Sequence, residues 1–151
     1  MRKTLFVLAA LAAVLVGFSA CSNGSSDDNG GGGGTPSVQQ SDLYGSYWGT
    51  LTMSGFGTFP LCLVIEADKV ALHSDVMGMP YTLVTYKDEG NGTWTIGCYG
   101  DGEDTSKPTT HTTVSVDTKA SPFIAKATII PMKCTTAPLK KGKAYNNEYA
   151  H

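Results

Sequence analysis

The sequence predicts a single all-β domain after an unstructured leader, and three observations favour this class. From Ser41 onward, apolar residues recur at every second position, which is the period of a half-buried strand. In the same stretch, no window keeps the three-and-four spacing of an amphipathic helix for three turns. Finally, Asn91-Gly92 lies between two alternating runs, where such a pair is typical of a tight hairpin.

The first alternating run, residues 47–53, predicts the opening strand. Tyr47, Leu51 and Met53 share one face of this strand, and Trp48 lies on the other. Only one face can turn toward the core. Because burying three apolar side chains contributes more than burying one, we expect Trp48 to be partly exposed, on the outer wall or at a rim.

The later strands are predicted as hairpin pairs. The pairs are 59–65 with 70–72, 81–87 with 93–99, and 110–116 with 123–130. In the middle pair, Gly92 supplies the positive φ angle that a short connection needs. About seven or eight sequential antiparallel strands must protect two edges. We therefore expect one small up-and-down barrel, with a β-sandwich as the alternative.

The start of the first strand carries a family resemblance. The segment Tyr44-Gly45-Ser46-Tyr47-Trp48-Gly49-Thr50 resembles the opening of lipocalin-like and related calycin barrels, in which a glycine shortly precedes a tryptophan. The glycine-to-tryptophan spacing is one residue longer here than in lipocalins. The resemblance implies barrel architecture and carries no ligand with it.

Residues 1–20 have the pattern of a bacterial export signal. Arg2 and Lys3 precede an apolar run that has the length of a secretory signal core and is too short to span a bilayer. The segment Phe18-Ser19-Ala20-Cys21 resembles the bacterial lipobox, although that family prefers leucine where Phe18 stands. The resemblance implies cleavage before Cys21 and attachment of diacylglycerol to its sulfur.

A lipid on Cys21 would hold the mature protein at the membrane of the bacterial cell envelope, since two or three acyl chains anchor stably. In lipoproteins of this class an aspartate after the cysteine favours the inner membrane. Here Ser22 follows, so we expect the outer membrane or the cell surface. Residues 21–40 are rich in Gly, Ser and Asp and predict a disordered tether that spans roughly 20 to 25 Å. The domain then covers residues 41–151.

Charge excludes one class of partner. The only arginine, Arg2, leaves with the signal together with Lys3, so nine lysines face thirteen acidic residues and the mature net charge is −4. Nucleic-acid binding needs a dense basic face, which is absent. Lys140, Lys141 and Lys143 cluster with Lys133 near the C-terminus. We interpret them as a solvated tail, with a contact to anionic lipid or acidic glycan as the alternative.

Three cysteines lie in the domain, and an exported protein meets an oxidising compartment. Cys98 shares a strand face with Trp94 and Ile96, whereas Cys62 alternates with inward-facing leucines and points the other way. A bridge from Cys62 through the core is therefore disfavoured. We predict a Cys98–Cys134 disulfide, with three free thiols as the alternative.

The sequence shows no nucleophile motif and no metal-ligand spacing, so we predict a non-enzymatic protein without cofactor or metal. Four aromatic residues are candidates for contact with a ligand or partner, and the alternative is that they belong to the core: Trp48, Tyr81, Trp94 and Tyr99. The leading hypothesis is a lipid-anchored barrel that binds a small apolar ligand inside, or a protein or glycan outside. Inhibition of a hydrolase such as lysozyme is the alternative, and an enzyme comes after it.

Overall fold

Ten β-strands and one short 3-10 helix form the part of the chain that the computed structural model describes, residues 37–109, 111–130 and 132–147. The predicted signal, the lipobox and most of the predicted tether lie outside these residues. In chain order, the elements are a 3-10 helix (Gln40–Leu43), β1 (Gly45–Met53), β2 (Gly57–Ile65), β3 (Val70–Ser74), β4 (Gly78–Tyr81), β5 (Leu83–Asp88), β6 (Thr93–Tyr99), β7 (His111–Asp117), β8 (Ile124–Ile129), β9 (Cys134–Thr135) and β10 (Leu139–Lys141). The all-β prediction is confirmed.

Nine of the strands form a nearly closed antiparallel barrel in the order β4-β3-β2-β1-β10-β8-β7-β6-β5, and β9 pairs with β8 beside them. The two ends of this order, β4 and β5, follow each other in the chain with only Thr82 between them. The predicted run 81–87 is thus divided, because its start pairs with β3 and the rest pairs with β6. The barrel prediction is confirmed over the sandwich.

All three predicted hairpins form. Their registers pair Ile65 with Val70, Asp88 with Trp94, and Asp117 with Ile124. In the β5–β6 connection, Gly90 and Gly92 have φ angles of 73° and 82°, as the tight turn requires. Hairpins depend on local alternation and on turn residues, which explains why the sequence predicts them.

The barrel interior is filled by side chains. They come from β1, β2, β3, β6, β7, β8 and β10 and include Tyr47, Leu51, Leu61, Leu63, Ile65, Val70, Leu72, Ile96, Val114, Val116, Ile129 and Leu139, all of them 0 to 1% exposed. The 3-10 helix adds Leu43 to this core, and its carbonyl accepts a 2.8 Å hydrogen bond from the buried Tyr47 hydroxyl. Gly49 faces Leu139 so closely that a Cβ would lie 2.7 Å from the leucine Cδ2, so glycine lets β10 close against β1.

The C-terminal lysines correct the solvated-tail interpretation. Lys140 and Lys141 belong to β10, which pairs with β1 and β8 through Trp48↔Lys140 and Leu139↔Ala125. The Lys141 ammonium donates to the Asp42 carbonyl. Lys133, Lys140 and Lys143 are exposed, as the interpretation expected. The expectation of a tail was wrong for Lys140 and Lys141, because burial of Leu139 places their strand in the barrel wall and one apolar residue gives no alternating pattern.

Candidate functional site

Three residues of the outer barrel wall lie in one row across β1, β2 and β3. The register pairs Trp48 with Cys62, and Cys62 with His73. Directly paired residues project from the same face, here the face opposite the core side chains Tyr47 and Leu51. We call Trp48, Cys62 and His73 the outer row. Cys62 is nevertheless 0% exposed, so other atoms must cover this part of the wall.

The cover is the segment after β10, residues 142–147, which we call the C-terminal strap. It lies outside any helix or strand and crosses the outer face of β1. The Tyr145 amide donates a 2.9 Å hydrogen bond to the Ser46 hydroxyl, and the Trp48 indole donates a 2.7 Å hydrogen bond to the Lys143 carbonyl. The strap is thus attached to two outward side chains of one strand.

An aromatic stack adds to these hydrogen bonds. The Tyr145 ring lies 4.2 Å from the His73 ring at an interplanar angle of 17°, and 6.1 Å from the Trp48 ring. Gly142 lets the chain pass beside the indole, since a Cβ there would lie 3.2 Å from Trp48 Cδ1. The expectation that Trp48 faces outward is therefore confirmed, and its half-burial comes from the strap.

A groove of about 600 Å³ continues from the strap over β2, β3 and β4. Its lining includes Tyr44, Val64, Ala71, His73, Pro80 and Tyr145. Two charged residues at its rim, Glu66 and Lys69, form an exposed ion pair at 2.9 Å. The groove therefore offers aromatic rings and small apolar side chains, with charge only at the edge. We call it the strap groove.

The titratable groups of the outer row are held neutral. Burial lowers the pKa of His73, and burial raises the pKa of the Cys62 thiol to about 11 despite hydrogen bonds to Ser46 and to the Tyr47 backbone. Cys62 and His73 are cross-strand neighbours, but a thiol with this pKa is protonated at neutral pH and is a poor nucleophile. The chemistry of the row suits apolar contact.

The four aromatic candidates do not meet in one site. Tyr81 is 3% exposed, and its hydroxyl lies 2.6 Å from that of Thr112 inside the barrel. Trp94 packs against the core, and Tyr99 stacks on His111 with ring centroids 6.1 Å apart. Of the four, only Trp48 lies beside the candidate site. Tyr81 is part of the core and Trp94 packs against it, as the alternative interpretation expected. The sequence reasoning missed Tyr44, His73 and Tyr145.

The predicted Cys98–Cys134 disulfide is absent, and both residues are free thiols. The residues fall in one register row, in which Thr112 and Ile129 separate them. Two strands therefore lie between Cys98 and Cys134, and three strand spacings of about 4.8 Å exceed the Cα separation that a disulfide spans. Burial raises the pKa of Cys98 to about 12, so its thiol is protonated.

A second exposed apolar feature lies at the β1–β2 turn. Phe56 is 75% exposed there, and Met132 is 36% exposed. Both line a groove of about 490 Å³ together with Met53. This surface, which we call the turn patch, lies at the end of β1 away from the 3-10 helix. Among the described residues, it shares no lining residue with the strap groove.

The fold and the site together define a small antiparallel barrel with a packed interior and a strap-bordered groove on its outer wall. No protein-family model, curated protein or solved structure matches the chain. Within the described residues, no helix has the length and apolarity to cross a membrane. The same residues contain no group of three or more His, Cys, Asp or Glu side chains placed to hold a metal ion.

Proposed function

We propose that this chain is a bacterial envelope lipoprotein, anchored through a lipid on Cys21 at the outer membrane or cell surface, whose barrel is a non-enzymatic binding module. The anchor rests on the lipobox resemblance of Phe18-Ser19-Ala20-Cys21 and on the export pattern before it. The binding role rests on the outer wall. A partner of the envelope, protein or glycan, would contact the strap groove.

The packed interior is the observation that favours binding on the outer wall over binding inside the barrel. A barrel that holds a small apolar ligand needs an internal cavity, whereas here side chains from seven of the strands fill the centre at 0 to 1% exposure. The hydrogen bond between Tyr81 and Thr112 also joins β4 to β7 within that interior. Ligand contact is therefore expected on the outside, where the strap groove combines aromatic rings with small apolar residues.

The anchor is tested by replacing Cys21 with serine. Only a thiol can form the thioether, so C21S is expected to lose incorporation of labelled palmitate and to be either uncleaved or soluble. Cys134→Ser is the matched control and should label normally. Labelling of C21S at the normal level would exclude the lipoprotein assignment.

The location of binding is tested by a photo-crosslinking amino acid in cells. Placed at Ala71 in the strap groove, it should give a discrete adduct that Val64→Lys removes. Placed at Thr85, an exposed residue of β5, it should give none. Equal adducts from both positions would contradict binding in the groove. Stoichiometric uptake of a fatty acid by the purified barrel that Val64→Lys leaves unchanged would place the ligand inside instead.

A further inference from the structure

We propose that the partner of the strap groove is an extended peptide segment bearing an aromatic side chain, and that the C-terminal strap occupies part of that peptide site. This inference rests on the proposed outer-wall binding and names the class of partner. The strap is itself a peptide seated on this face, so its contacts show what the face accepts.

The hydrogen bonds have the spacing of extended-chain recognition. Ser46 and Trp48 are two residues apart and both point outward from β1, while their strap partners, Tyr145 and Lys143, are also two residues apart. The strap therefore runs antiparallel to β1, because Ser46 bonds to the later strap residue, Tyr145, and Trp48 bonds to the earlier one, Lys143. The hydroxyl accepts from a main-chain amide and the indole donates to a main-chain carbonyl. Neither contact depends on the side chain of the bound segment.

The aromatic preference comes from the ring stack. Tyr145 lies flat on His73 at 4.2 Å, and stacked rings stabilise a contact beyond their buried area. Main-chain hydrogen bonds combined with a side-chain platform are the usual means by which a wall binds an extended peptide. The face therefore selects an aromatic residue two positions after the carbonyl that Trp48 holds.

The site extends beyond the strap. Ser46, His73, Ala144 and Tyr145 also line the strap groove, so the groove is continuous with the seated segment. Beyond it lie Val64, Ala71 and Pro80, small enough to admit side chains of a longer peptide. On the strap, residues 142–144 are exposed, so these three residues bury little of their own surface on the wall.

The test uses the full chain carrying Tyr145→Ala and a synthetic heptapeptide with the sequence of residues 141–147. Binding is followed by the NMR resonance of the Trp48 indole N–H, assigned with Trp94→Phe. The peptide should shift this resonance and should bind the variant at least about tenfold more tightly than the unmodified chain, where the strap competes. A peptide with alanine at the tyrosine position should bind at least about tenfold more weakly. Equal binding of the two peptides, or no binding, would overturn the proposal.

Ser46→Ala and Thr85→Ala form a matched pair in the Tyr145→Ala background. The first should weaken binding severalfold because it removes the acceptor of the main-chain amide, and the second should not. Equal effects would overturn the hydrogen-bond assignment. If the unmodified chain dimerises and Tyr145→Ala abolishes the dimer, the occupant is the strap of a second copy and the proposal falls. An adduct from Ala71 without peptide binding would refute this inference and leave the proposed outer-wall function in place.

Discussion

The two faces of β1 bury their side chains by different means. Tyr47 and Leu51 point inward and are fully buried in the barrel core, whereas Ser46 and Trp48 point outward and are contacted by the strap. Burial on the inner face depends on the whole fold. Burial on the outer face depends on one terminal segment, and this is why we place exchange with a partner on the outer face.

Leu51→Ala should give the largest loss in this comparison. The leucine is fully buried, and its truncation removes apolar burial and leaves a cavity, at a cost of about 2 to 5 kcal/mol in the free energy of unfolding. Urea denaturation followed by circular dichroism measures the loss. If Leu51→Ala lowers the free energy of unfolding less than Trp48→Ala does, Trp48 faces the core and Leu51 faces outward.

Trp48→Ala should lower the free energy of unfolding less, by about 1 to 1.5 kcal/mol. The indole is only half-buried, and the substitution mainly removes its neutral hydrogen bond to the Lys143 carbonyl and its packing against the strap. Thr50→Ala, on the same face but exposed, is the control and should stay within about 0.5 kcal/mol. The same denaturation experiment applies. If Trp48→Ala and Thr50→Ala are equally mild, the strap does not protect the indole in solution.

The pH dependence of the free energy of unfolding should report on the outer face, because His73 lies there. Because burial lowers the pKa of His73 in the folded protein, the unfolded chain takes up the proton first. The stability that the neutral ring contributes is present above pH of about 6.5 and is lost as the pH falls below that value. His73→Phe keeps a ring under Tyr145 and should flatten this part of the stability profile. If the free energy of unfolding changes with pH equally in the two proteins, His73 is not the origin of the pH dependence.

Phe56→Ser should have the smallest effect on stability, within about 0.5 kcal/mol, because the ring is 75% exposed on the turn patch. The variant should also leave crosslinking from Ala71 unchanged, since Phe56 does not line the strap groove. Loss of the Ala71 adduct in this variant would show that the partner reaches the turn patch as well.

The hairpins were predictable from the sequence for a local reason. In β2 and β3, alternation and the turn at 66–69 act over about twenty residues, and the observed register pairs Leu63 with Leu72 as that pattern requires. The pairing of β1 with β10 is different. It joins Tyr47 to Lys141, and the short β10 has a single buried leucine, so no local pattern marks it.

The candidate site was predictable only at Trp48. Alternation placed this residue outside. Tyr145, which contacts its ring, and His73, which stacks on Tyr145, lie in separate parts of the chain and share no motif with it. The sequence also could not show that Cys98 and Cys134 are free thiols, because two strands, β7 and β8, come to lie between them only through the pairing of the sheet.

The sequence by itself determined the all-β class, the three hairpins and the inward face of β1, because period-two alternation and turn residues act between neighbours in the chain. The lipid anchor at Cys21 is likewise a prediction of sequence alone. Only the tertiary structure decided that β10 lies between β1 and β8 and that the strap covers the outer row. These contacts join distant segments, and their energies come from packing of surfaces that exist only after the barrel has formed.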